Sequence, residues 1–141
     1  MSATITDLLD AAHKSAETLT KPAQIEAACV ELAAAFEARM QHHFKRGPFY
    51  KKLHKLLIES GNTDLGTKVH QYATAVSVIK HGPGASYREL KTIADLPFDI
   101  RVPAAEPHTL VDVTTGNFFA NLVETLEQAH NFLENRETSA S

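Results

Sequence analysis

Eight histidines lie within 141 residues, and two of them sit in mirrored acidic settings. Asp10-x-x-His13-x-x-x-Glu17 near the start matches Glu127-x-x-His130-x-x-x-Glu134 near the end. Each spacing gathers three metal-ligating side chains on one side of a helix, and Glu-x-x-His on two helices is part of a di-iron carboxylate site. The angles oppose that chemistry. At about 100° per residue, the first trio lies roughly 90–150° from the centre of its helix's apolar stripe, and the second roughly 65–125°. Bundle metals need inward ligands, and the inward positions of the intervening helices are apolar or aromatic. No His-x-x-x-His pair occurs. The expectation is two solvated helix faces, with no metal and no cofactor.

A second constellation is Arg39-x-x-x-His43, one helical turn apart beside an apolar stripe. Arginine could clamp a phosphate while histidine moves a proton near neutral pH. The plainer reading lays the Arg39 stem along the core edge and uses His43 to cap the helix. Around this pair, the stretch Ala38–Ile58 contains no acid. It holds Arg39, Lys45, Arg46, Lys51, Lys52 and Lys55, with His42, His43 and His54, and with Phe44, Phe49 and Tyr50 interleaved. The stretch therefore carries +6 and the remainder −9, giving the net −3. Such a surface suits an anionic partner, nucleic acid or acidic protein, because neutralising phosphates drives binding. The opposing reading is an ordinary basic helix paired with acidic helices.

The third is Lys80-His81-Gly82-Pro83-Gly84. Two cationic side chains in a last turn offset the carbonyl end of the helix dipole. Gly82 and Gly84 let backbone or ligand approach closely. The anion-binding candidates are thus Lys45, Arg46, Lys51, Lys52, Lys55, Lys80, Gly82 and Gly84; the catalytic candidates are His81, His43 and Arg39.

Helices must position these groups. Apolar spacing predicts helices over 4–19, from Pro22 to about Phe44, over 48–60 with a Gly61-Asn62 stop, and from about Asp64 to His81. Ser86-x-x-Glu89 reads as a capping box for a short helix, and a last helix spans about Gly116–Asn135. Pro97, Pro103 and Pro107 exclude a long helix between 96 and 108. Phe98–Val102 alternates like a strand, and Thr109–Val113 could pair with it. The fold class is mainly all-α: an antiparallel bundle of about five amphipathic helices, with an irregular or short β-hairpin insertion before the last. One domain is expected over 1–135, with a disordered tail over 136–141.

The composition, 43% hydrophobic and 22% charged, excludes a disordered chain, and no apolar run reaches membrane-spanning length. The lone Cys29 excludes an internal disulfide and reads as a buried thiol. No secretion signal is visible, so a cytoplasmic location is expected.

The Lys80-His81-Gly82 turn, with Gly84 and Ser86-Tyr87 after it, resembles the late-helix turn of HEPN-superfamily bundles, and the helix order is compatible. Ribonucleases of that superfamily carry an arginine shortly before the late-helix histidine. Here the corresponding positions are Thr74, Ala75 and Val76. The Arg39–His43 spacing is too short to substitute. The resemblance therefore implies a non-catalytic member that forms homodimers or binds a partner, in a toxin–antitoxin or defence setting. The alternative is a ribonuclease using His81, or His43 with Arg39, across a dimer interface.

Overall fold

The computed structural model of the chain describes residues 5–44, 48–101, 110–114 and 117–140, the last five as backbone alone. Among these residues six helices form an all-α bundle: α1 (Ile5–Thr18), α2 (Pro22–Met40), α3 (Phe49–Glu59), α4 (Thr63–His81), α5 (Ala85–Thr92) and α6 (Phe118–Ala140). The helical pattern of the sequence therefore gives the architecture. α2 ends four residues early at Met40, where the chain tightens into a 3-10 turn over Gln41–His43. α6 continues beyond Asn135 to Ala140.

The apolar stripes become the core. Leu9 and Ala12 of α1 meet the α2 stripe of Ile25, Cys29, Leu32, Phe36 and Met40, with Phe118, Leu122, Leu126, Ala129 and Leu133 of α6. α4 is central, touching α2, α3, α5 and α6. It accordingly buries more than one stripe: Gln71, Thr74, Ala75 and Val78 join Val69, Tyr72 and Val76. Small and β-branched side chains along 73–79 allow this crowding from several sides.

α3 and α4 form a tight antiparallel hairpin. The turn is a Schellman motif: the Asn62 amide donates to Leu57 carbonyl (2.8 Å) and the Gly61 amide to Ile58 carbonyl (3.2 Å), with Gly61 at φ +85°. Gly66 is buried where a Cβ would fall 2.8 Å from Ile58 Cδ1 and 3.3 Å from Leu57 Cβ. The missing side chain sets how closely the two helices approach.

Two expectations need correction. No β-hairpin forms among the described residues. The pairing shrinks to one antiparallel bridge between Ile100 and Val111, with the Arg101 amide on Leu110 carbonyl (2.6 Å) and the Asp112 amide on Asp99 carbonyl (2.9 Å). Pro97 lacks a donor on one side of this pair, and the connection over 102–109 lies outside the described residues. The segment instead packs onto the core. Phe98 packs on Tyr72 and Phe118 at 5.4 and 5.1 Å, and Tyr87 Oη donates to Arg101 carbonyl at 2.6 Å. The capping box also fails. α5 starts two residues earlier than that box requires, at Ala85, so Ser86 lies inside the helix, 2.7 Å from Ser77 Oγ, and Glu89 turns toward His70.

Candidate functional site

The basic stretch resolves into one helix face. On α3, Phe49, Leu53 and Leu57 point into the core, which leaves Lys51 and Lys55 exposed one turn apart and Lys52 half-buried on the flank. Lys55 Nζ lies 3.9 Å from Glu59 Oε1, a loose i,i+4 pair on open surface. Lys51 has no carboxylate within ion-pair distance among the described residues. Lys45 and Arg46 lie outside the described residues.

The interleaved aromatics serve a different purpose from base stacking. Phe49 is buried among Phe36, Phe44 and Tyr50, with ring centroids at 6.0, 5.6 and 5.0 Å. Tyr50 Oη donates to Ala33 carbonyl at 2.6 Å, and burial pushes its phenol far above the usual range. These rings bolt α3 to α2 and leave the lysine face without an aromatic platform.

The inner edge of α3 carries a constellation that the sequence reading missed. One turn beyond Gly66, His70 stacks on His54, with centroids 4.6 Å apart and planes 11° from parallel. Glu89 of α5 reaches to 3.9 Å from His70 Nε2. His54 is held below the ordinary histidine range, first by burial and then by repulsion from His70, while Glu89 opposes both. The signal was the hairpin register: with a turn at 60–62, residues 54 and 70 fall opposite each other on antiparallel helices.

Beside the pair, a cleft of about 220 Å³ is lined by Lys51, His70, Thr74, Ser77, Ser86 and Glu89, among others. Ser, His and Glu side chains share this cleft, yet they do not form a nucleophilic relay. Ser77 follows His70 by two turns, a rise of about 10 Å, and its hydroxyl is held by Ser86.

The catalytic candidates line no shared cavity among those of the described residues. The Arg39 guanidinium donates to its own helix at Ala35 carbonyl, 3.2 Å away. His42 Nδ1 donates to Arg39 carbonyl at 3.0 Å, and the rings of His42 and His43 sit 4.2 Å apart. His81 is exposed on the last turn of α4, as is Lys80. None of the five principal cavities among the described residues is lined by Arg39, His43 or His81. Gly82 takes φ +73° while its amide donates to Val78 carbonyl at 2.7 Å, so it ends α4 as a turn residue. Gly84 caps α5, and a Cβ there would meet nothing within 4 Å.

The mirrored trios meet across α1 and α6 through one contact, His13 Nε2 to Glu127 Oε2 at 3.1 Å, both half-exposed. His130 is more covered than its helical angle suggests and lies 3.8 Å from Glu134. Among the described residues no group of three His, Cys, Asp or Glu side chains is placed to hold a metal. Cys29 is fully buried, and burial with Glu26 nearby pushes its thiol up to about 12. That keeps it protonated at neutral pH. No helix of the described residues is long and apolar enough to cross a membrane.

Comparison with known proteins returned no match to a family model, a curated protein or a solved structure.

Proposed function

We propose that this chain is a small helical binding module, acting in the cytoplasm as a homodimer, whose α3 face engages an anionic partner. One observation carries the reading. Lys51 and Lys55 stand exposed one turn apart on a rigid helix, and only Lys55 has a carboxylate near it among the described residues. Three buried side chains, Phe49, Leu53 and Leu57, fix the orientation of that face. With no aromatic platform beside it, the face recognises charge rather than base identity. The homodimer follows from the HEPN resemblance and is tested by sedimentation; a strict monomer removes it.

The binding test is fluorescence anisotropy with a labelled single-stranded RNA, and separately with a polyglutamate peptide. If Lys51, Lys52 and Lys55 each meet a phosphate, log affinity for RNA falls against log salt with a slope of about −2. Lys51→Glu with Lys55→Glu abolishes the interaction without changing the helical circular dichroism. Affinity indifferent to both salt and the double reversal refutes the proposal. Gel analysis of the same RNA separates binding from the ribonuclease alternative. Cleavage that disappears in His81→Ala or His43→Ala would assign the enzyme reading instead.

A further inference from the structure

Three titratable side chains from three helices meet where α3 and α5 pack on α4. His54 and His70 stack with ring centroids 4.6 Å apart, and Glu89 Oε1 lies 3.9 Å from His70 Nε2. This cluster adjoins the lysine face. Lys51 stands one turn before His54 on α3, and Lys51, His70 and Glu89 line one cleft. The stack accepts one proton far more readily than two. A single imidazolium is drawn to Glu89, whereas two would repel each other across 4.6 Å. Burial and that same repulsion already hold His54 low.

We infer that the His54–His70–Glu89 cluster is a one-proton switch for the anion-binding face of α3, a proton on the stacked pair strengthening the grip on an anionic partner. The inference rests on the α3 reading proposed above and adds its regulation. The sign follows from the charges around the pair. α2 brings Glu37 to the cleft wall and α5 brings Glu89. On α3, Lys55 lies 3.9 Å from Glu59, which leaves Lys51 as the lysine of the cleft. Lys68 of α4 lines other cavities. On α5, Lys91 Nζ lies over the Tyr87 ring at 4.7 Å, and Arg88 projects about 100° round the helix from Glu89. With both imidazoles neutral, the cleft therefore sets one lysine against two carboxylates, which repels an anion. One proton on the pair balances Glu89 and leaves Lys51 freer to bind. By linkage, a bound anion favours that proton in return.

The test is fluorescence anisotropy of the full chain with a labelled oligouridylate at about pH 5.5 and about pH 7.5, a range in which histidine titrates and uracil does not. Affinity is about fivefold higher at the lower pH, the effect of one unit charge about 4 Å away in water. His54→Gln with His70→Gln loses most of that gain while circular dichroism shows the helices intact. If that double variant unfolds, Glu89→Gln on the exposed face of α5 decides the matter: it raises affinity at the higher pH and narrows the gap. Equal affinity at both pH values overturns the inference and leaves the α3 reading standing. A gain that survives these substitutions belongs to other histidines, such as exposed His42 and His81, and overturns it as well. No binding at either pH refutes the α3 reading, and the switch with it.

Discussion

Truncating Phe49 to alanine tests the fold and the placement of the lysine face together. Phe49 opens α3, is 1% exposed, and makes edge contacts with Phe36, Phe44 and Tyr50. Removing a fully buried phenylalanine costs about 3–5 kcal/mol with its contacts included, and the three edge-on aromatic pairs place Phe49 in the upper half of that range. Alanine recovers about 0.5 kcal/mol through better helix propensity. The expected net loss is about 4 kcal/mol. An unfolding entropy near 2.1 cal/mol/K per residue, over 141 residues, converts this to a Tm lowered by about 13 °C. Urea titration followed by far-UV circular dichroism measures it, with Ile58→Ala as the reference. Ile58 is 40% exposed, and its truncation should cost less than about 1 kcal/mol. A loss at Phe49 below about 1.5 kcal/mol, or one equal to that at Ile58, would show that the aromatic cluster does not anchor α3. The lysine face would then have no rigid mounting on α2.

Other outcomes follow from the same geometry. Gly66→Leu pushes a side chain into Ile58 and Leu57 and should destabilise by about 1–3 kcal/mol, readable as a lower urea midpoint; an unchanged midpoint would contradict the close approach of α3 and α4. His54 is held below its unfolded value of 6.5, so the unfolded chain takes up a proton first as pH drops. Stability is therefore full above pH 6.5 and declines as pH falls from there through the lowered folded value. His54→Gln should flatten this slope, and a profile identical to the unsubstituted chain would sink the account. Tyr87→Phe removes the 2.6 Å bond to Arg101 carbonyl and should cost about 1 kcal/mol. Amide exchange at Asp112 should accelerate with it as the bridge loosens, and unaltered exchange there would detach Tyr87 from that role.

The sequence foretold the helices well because their apolar residues recur at helical spacing. The stripe Ile25, Cys29, Leu32, Phe36 and Met40 is buried throughout. It failed where one local pattern allowed two structures. Ser86-x-x-Glu89 has the letters of a capping box, but the backbone turned two residues earlier at Gly84, and both side chains then found partners on α4. The alternation at 98–102 and 109–113 located the bridge between Ile100 and Val111, although alternation cannot say how far a ladder extends. Among the site residues, Lys51 and Lys55 were legible as an outer face. His70 was not, since its meaning depends on His54 across the hairpin.

The sequence by itself determined an all-α bundle, an acid-free basic stretch and a cysteine for the core. Those properties reside in periodicity and composition, which act along one helix at a time. Only the tertiary structure decided that the aromatics of the basic stretch face inward and that Arg39, His43 and His81 share no principal cavity among the described residues. The same holds for the stacked His54–His70 pair. Each of these depends on the separation and register between helices. Those are set by side-chain volume at contacts such as Gly66 against Ile58, and no single helix encodes them.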